Sequence, residues 1–220
     1  MTKKKQMSET LFIGILLALA GGFLDAYTYL TRGEVFANAQ TGNMVLMGIY
    51  FAKGNFLKAF RYFIPVLAFI AGVVLAEIIK EKFKENQHVH WRQITIGIEF
   101  VVLIIVAFLP QGNYDMLANI LVSFVCSVQV QSFRKLNGNV YATTMCTGNL
   151  RSATEQIFNY HKTKDRAMLQ KSLQYFMIIG VFIIGGLIGG LLCTYWGIYS
   201  VLFAAAILLL TLLLLFLPCS

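Results

Sequence analysis

The chain has 220 residues, of which 58% are apolar and 13% are charged, and its mean hydropathy is +0.70. A soluble domain carries roughly 25% charged residues and under half apolar ones, so this chain has too little polar surface to cover a water-facing globule. The 18 Lys and Arg outnumber the 10 Asp and Glu, but these cations lie between apolar runs, as in the cytoplasmic loops of membrane proteins. The sequence therefore predicts an integral membrane protein and argues against nucleic acid as a partner.

Common enzyme and cofactor signatures are missing from the sequence. It contains no P-loop, no Rossmann fingerprint and no G-x-S-x-G motif. The four cysteines, Cys126, Cys146, Cys193 and Cys219, lack C-x-x-C spacing, which predicts buried thiols rather than a metal site or disulfides. We expect a protein that is not an enzyme and carries no cofactor.

Six apolar runs qualify as membrane spans by length and composition. They cover residues 11–30, 62–79, 94–109, 117–133, 175–195 and 199–217. The basic N-terminus followed by the first run imitates a secretory signal. Because that run continues beyond the apparent cleavage site, we expect the first span to be retained.

One motif occurs twice. Residues 33–37 and 138–142 both read G-x-V-aromatic-A, and each copy is followed by T-G-N, at 41–43 and 147–149. Each copy follows one span and precedes another that begins with Tyr-Phe and continues with Phe, Ile and Gly at identical intervals. The pattern predicts an internal duplication within a single membrane domain over 1–220, with repeats at about 11–109 and 117–217.

The two T-G-N segments are polar and rich in residues that interrupt helices. Backbone inside a bilayer leaves the helix only where protein or a water-filled cavity satisfies its polar groups. Thr or Asn beside Gly also starts helices by capping free amides, and a helix N-terminus carries a partial positive charge. Each segment is predicted to be an extended stretch entering a short helix, over 44–52 and 150–160.

These blocks resemble a known family. Residues 22–26 (G-F-L-D-A) with 35–43 (V-F-A-N-A-Q-T-G-N), and residues 141–151 (Y-A-T-T-M-C-T-G-N-L-R), are similar to the two signature blocks of the YoaK-like bacterial membrane proteins. The domain of that family is of unknown function. The resemblance covers nearly the whole chain and implies a multi-pass protein of the bacterial cytoplasmic membrane, without implying a substrate.

The predicted fold is an all-α polytopic membrane protein, with two topologies left open. If the T-G-N segments are half helices that re-enter, the chain has six full spans, and 14 of its 18 cations share the side of both termini. If both segments cross, there are eight crossings and a less favourable balance. The positive-inside rule favours six spans with both termini cytoplasmic, which would invert the second repeat relative to the first.

Candidate site residues are those whose polarity is unexpected in apolar surroundings. They are Asp25, Asn38, Gln40, Thr41, Gly42, Asn43, Glu99, Gln131, Thr144, Thr147, Gly148, Asn149 and Arg151. An ionisable side chain costs at least about 2.5 kcal/mol at the centre of a membrane helix. Asp25 is therefore predicted to bind a proton or cation, or else to pair with Arg32 or cap a neighbouring helix. Arg151 is a candidate cation for an anionic substrate, or a simple topological charge.

Two functions are compatible with the sequence. The first is a small secondary transporter that binds an unknown small molecule or ion between the T-G-N segments. The second is a non-transporting scaffold, sensor or assembly subunit. Transport predicts a solvent-reachable cavity between the segments, whereas the scaffold predicts dry packing. The lipid bilayer is an expected partner in either case, and the two overlapping G-x-x-x-G patterns at 185–190 allow a homodimer.

Overall fold

The computed structural model describes residues 7–84, 89–136, 139–141, 144 and 146–217. Its described parts form eight α-helices joined by short connections. The helices are α1 (Leu11–Thr31), α2 (Gln40–Ala52), α3 (Phe56–Phe83), α4 (Trp91–Ala107), α5 (Asp115–Ser132), α6 (Cys146–Thr163), α7 (Arg166–Trp196) and α8 (Val201–Leu214). Two strands of two residues each, β1 (Lys135–Leu136) and β2 (Asn139–Val140), pair antiparallel between α5 and α6.

Each predicted span and each predicted short helix corresponds to one of these helices. Three helical stretches are long and apolar enough to cross a membrane: Leu11–Thr31, Phe56–Phe83 and Arg166–Leu214, the last of which includes the turn between α7 and α8. The number of full spans stays a prediction, because α4 has only 17 residues and α5 carries several polar side chains.

The prediction that the T-G-N triplets precede their helices was wrong. Helix α2 begins at Gln40 and α6 at Cys146, so each triplet lies in the first turn. No side chain of the segment caps α2, whose N-cap residue is Ala39. A carboxylate from α1 occupies this end of α2 instead, which the local sequence pattern does not reveal.

Two buried arginines fix the ends of α1, α4 and α5. The guanidinium of Arg32, at the end of α1, donates to the Tyr27 hydroxyl at 3.0 Å, the Val106 carbonyl at 3.1 Å and the Leu109 carbonyl at 3.0 Å. It also forms a 3.2 Å ion pair with Asp115. A second buried arginine, Arg92, lies at the opposite ends of these helices.

Arg92 lies at the start of α4. Its Nε donates to the Ser132 carbonyl at 2.9 Å and its Nη1 to the Ser8 hydroxyl at 2.6 Å, while its Nη2 pairs with Glu9 at 3.3 Å. The neighbouring Gln93 side chain donates to the carbonyl of Leu215, just beyond α8, at 2.9 Å. The start of α1 and the end of α8 therefore lie at the same end of the bundle.

The helices of the two halves pack in corresponding pairs. Helix α1 packs along α7 as α3 packs along α5, α2 lies on α3 as α6 lies on α7, and α4 packs on α8. Gly185 lies against the Leu19 carbonyl and Gly72 against the Phe124 carbonyl. Leu19 and Phe124 are 105 residues apart, the same separation as the two G-x-V motifs. A two-fold relation between the halves would produce this set of contacts.

Candidate functional site

The first T-G-N segment returns into the protein after α1 ends. The backbone amide of Asn38 donates to the Asp25 carboxylate at 2.7 Å, and the Asn38 side-chain amide donates to the Gly21 carbonyl at 3.2 Å. Both acceptors lie in the middle of α1. Helix α2 then leads back to the end of α1, where Tyr50 borders the same cleft as Tyr29. The segment and α2 together thus run from the end of α1 to its middle and back.

The second segment reaches the same part of α1. Thr144 lies directly against Gly21, and Tyr141 packs with Ala18 and with Ile178 of α7. The thiol of Cys146, at the start of α6, is within electrostatic range of Asp25. Both non-helical segments therefore meet at the stretch of α1 between Ala18 and Asp25.

Asp25 is buried, with 8% of its surface exposed, and its carboxylate faces the start of α2. The amides of Ala37 and Ala39 lie close to it, on either side of the hydrogen-bonded amide of Asn38. Asp25 does not pair with Arg32, whose ion pair is with Asp115. The carboxylate thus binds the backbone just before α2, and in doing so it holds the first segment against α1.

Several buried polar atoms have no hydrogen-bond partner among the described residues. Asn38 Oδ1 and Thr144 Oγ1 belong to side chains that lie against this stretch of α1, and Glu99 Oε1 in α4 and Ser123 Oγ in α5 are two others. The thiol of Cys126 in α5 lies within interaction range of Asp25, Glu99 and the Asn38 side chain. Buried polar atoms are nearly always hydrogen-bonded to protein or ordered water, so a set of unsatisfied ones in the interior marks a place where a water, ion or ligand group fits.

The two asparagines of the triplets are both buried, but the first is fully engaged by its own segment. The side chain of Asn43 accepts from the Phe36 amide at 3.2 Å and donates to the Phe36 carbonyl at 2.7 Å and to the Gln40 side chain at 3.0 Å. Asn149 occupies the equivalent position in α6 and is 3% exposed. Asn43 therefore fixes the segment's shape rather than offering free groups to a substrate.

The other candidates lie away from Asp25. Thr41, Thr147 and Gly148 are exposed, and Gly42 is half-buried under the Phe36 ring. Arg151 is exposed and lines an open surface groove of about 560 Å³ together with Thr147. Gln131 donates to Glu77 at the far end of α3. The structure thus brings Asp25, Asn38 and Thr144 together, places Glu99 within range of the same Cys126 thiol as Asp25, and leaves these six residues apart.

A second feature, which we call the tyrosine cleft, lies where α1 ends and α3 begins. It has a volume of about 380 Å³, and its polar and aromatic lining comprises Tyr29, Glu34, Tyr50, Lys58, Arg61 and Tyr62. These residues come from four separate parts of the chain, so no local sequence motif predicts the cleft. Lys58 and Arg61 were not among the candidate site residues predicted from the sequence.

Comparison with known proteins identifies one family. The family model described as "Protein of unknown function (DUF1275)" matches residues 13–215. The UPF0700 transmembrane protein YoaK of Bacillus subtilis (strain 168) is 26% identical over 178 residues, which cover 79% of each chain. No solved structure matches this chain. The similarity to a transmembrane protein agrees with the apolar helices.

Proposed function

The chain belongs to the DUF1275 family, whose member YoaK is described as a transmembrane protein, and we propose that it is a small secondary transporter in an occluded state. Its central site lies where the two T-G-N segments meet α1, and Asp25 is its coupling residue. The observation that carries the proposal is the 2.7 Å hydrogen bond between the Asp25 carboxylate and the Asn38 amide, which ties a buried charge to a broken segment.

Protonation of Asp25 gives this arrangement a mechanism. An ionised carboxylate accepts a strong, charge-assisted hydrogen bond from a backbone amide, and the neutral acid is a weaker acceptor. A proton on Asp25 therefore loosens the segment of residues 35–43 from α1. Because α2 follows directly, this release moves a half helix and opens the centre toward one side.

The unsatisfied atoms support a ligand at the same place. Thr144 Oγ1 and Asn38 Oδ1 come from the two different segments and are both buried without partners among the described residues. A substrate or ion that bridges them would contact both halves of the protein at once. Secondary transporters place their sites in this way, at the meeting of broken helices near the midplane.

The proposed topology is six spans with two re-entrant half helices and both termini cytoplasmic. The return of α2 to the end of α1 supports re-entry of the first segment, and the Arg92–Glu9 and Gln93–Leu215 contacts support termini on one side. The corresponding packing of Gly72 and Gly185 supports two repeats. In this arrangement α1 and α5 run in opposite directions, so the second repeat is inverted.

A scaffold without transport is the second candidate. The observation that favours it is the complete use of the Asn43 amide by Phe36 and Gln40, which locks the first segment without leaving a free group. A scaffold requires a rigid segment of this kind, but a scaffold function does not explain the unsatisfied atoms of Thr144 and Glu99.

Proteoliposomes that contain a pH-sensitive dye distinguish the two functions. A panel of amino acids, inorganic phosphate and organic sulfonates, which do not cross lipid unaided, is added outside, and proton movement is recorded. For at least one solute we expect a proton flux that is lost in Asp25→Asn and kept in Glu77→Gln. Glu77 is the matched control because it is a carboxylate at the half-exposed end of α3. No flux with any solute, or equal flux in Asp25→Asn, would favour the scaffold.

A further inference from the structure

We propose that the tyrosine cleft binds a small organic anion with an apolar ring or chain, and that this is the substrate class of the transporter. Binding to the cleft stands on its own geometry, whereas its role as the entry site for transport rests on the function proposed above. Such a ligand has an anionic group, which binds Arg61 and Lys58, and an apolar portion, which packs on the tyrosine rings.

The charge of the cleft favours an anion. Arg61 and Lys58 face one carboxylate, Glu34, so the lining carries a net positive charge. In the described part of the chain the Arg61 guanidinium has no hydrogen bond or ion pair. Asp115, which borders a narrow cleft with Arg61, is already engaged by Arg32 and by the Gly112 amide. Arginine with open donors is suited to bidentate binding of a carboxylate or phosphate.

The tyrosines provide the apolar wall. The rings of Tyr50 and Tyr62 are parallel within 7° and their centres are 5.7 Å apart. Lys58 Nζ lies 5.2 Å from the centre of the Tyr50 ring, so a cation already sits over this aromatic surface. Tyrosine combines a flat apolar face with a hydroxyl. A volume of about 380 Å³ is within the usual range for small-molecule sites, about 300–1,000 Å³.

The cleft is connected to the buried carboxylate through the first T-G-N segment. Tyr29 stacks on Phe36 with ring centres 4.9 Å apart, and the Phe36 backbone is held by Asn43. Glu34 has a positive φ of 61°, a strained conformation for a residue with a side chain, and such strain tends to persist at functional sites. A ligand beside Glu34 and Tyr29 therefore contacts the stretch that Asp25 holds at Asn38.

Isothermal titration calorimetry on the purified full chain in neutral detergent tests the assignment. The probes are benzoate, its neutral analogue benzamide, and inorganic phosphate. We expect benzoate to bind, benzamide not to bind, and phosphate to bind more weakly than benzoate because it lacks the ring. Arg61→Gln should weaken benzoate binding about tenfold or more, the loss of one charge-assisted hydrogen bond. Arg166→Gln, which changes an exposed arginine at the start of α7, is the matched control and should leave binding unchanged.

The outcomes separate the possible occupants. Absence of benzoate binding, equal binding of benzamide, or equal affinity in Arg61→Gln would overturn the proposal. Displacement of benzoate by phosphatidylglycerol added to the micelles would also overturn it, because the cleft would then be a lipid headgroup site. The titration measures binding alone and does not depend on transport. If benzoate binds but no Asp25-dependent proton flux is found, the transporter function fails while the cleft assignment stands; a flux without benzoate binding gives the reverse conclusion.

Discussion

The ends of the bundle and its centre differ in how completely their buried polar groups are hydrogen-bonded. Arg32 is 1% exposed, and each of its side-chain nitrogens donates to a hydroxyl, a carbonyl or a carboxylate. Asp25 is also buried, but the segments that meet beside it carry unsatisfied oxygen atoms on Asn38 and Thr144. The comparison indicates a rigid frame that surrounds a centre able to change its hydrogen bonds.

The strongest way to break the frame is Arg32→Met. The substitution leaves the Asp115 carboxylate and several buried carbonyls without their donor, and loss of one partner of a buried ion pair costs about 3–5 kcal/mol. We expect a large fall in the melting temperature of the purified protein in detergent. Arg166→Met, at an exposed position, is the control. A melting temperature equal to that of the wild type would show that Arg32 is not part of a rigid frame.

Alanine substitutions at two glycines test the close packing between helices. In Gly185→Ala and Gly72→Ala, the added methyl group meets the carbonyl of Leu19 or of Phe124, and overpacking of this kind costs about 1–3 kcal/mol. Gly180→Ala is a control in the same helix as Gly185, because an added methyl group there meets nothing within 4 Å. We expect the first two variants to melt lower and the control to match or exceed the wild type.

Similar decreases in melting temperature in Gly185→Ala and Gly72→Ala would show that the two halves pack equally tightly. A loss in only one of them would contradict a two-fold relation between the α1–α7 and α3–α5 contacts.

The smallest expected effect concerns pH and the start of α4. Partial burial, and then the neighbouring Arg92, lower the pKa of His90. Its neutral Nδ1 accepts from the Arg92 amide at 3.2 Å, which a protonated imidazole cannot do. Since the folded-state pKa is below the unfolded value, this contribution is complete above about pH 6.5 and is lost as the pH falls through the folded-state pKa.

The measurement is the melting temperature of the wild type relative to His90→Asn, which keeps a capping side chain that does not titrate. We expect the difference in melting temperature to shrink or reverse between pH 7.5 and pH 5, because loss of a helix cap costs about 1 kcal/mol of stability. A difference that does not change with pH would show that His90 is not the cap that titrates.

The helices of this protein follow closely from its sequence. Apolar runs and the repeated motif predicted all eight helical positions, because length and hydropathy decide where helices form in a bilayer. The starts of α2 and α6 were each misplaced by four residues. Before α2 the backbone is held by Asp25, which lies 13 residues before Asn38 in the chain, and local patterns cannot reveal a contact supplied by another helix.

The candidate site was predictable only in part. The polarity of Asp25, Asn38 and Thr144 in apolar surroundings identified three residues that the fold brings together. The same reasoning also selected Thr147 and Arg151, which face outward on α6, because composition does not tell which side of a half helix is buried. It missed Cys126 and the tyrosine cleft, whose residues become neighbours only through tertiary packing.

The proposed mechanism requires that ionised Asp25 holds the first T-G-N segment against α1. Hydrogen exchange of the backbone amides of residues 35–43, measured by mass spectrometry at pH 7.5 in detergent, is the decisive experiment. We expect exchange in this segment to be at least about tenfold faster in Asp25→Asn than in the wild type, since a neutral amide oxygen replaces a charged acceptor, and we expect no such effect in Glu77→Gln. Equal protection in Asp25→Asn and the wild type would contradict it.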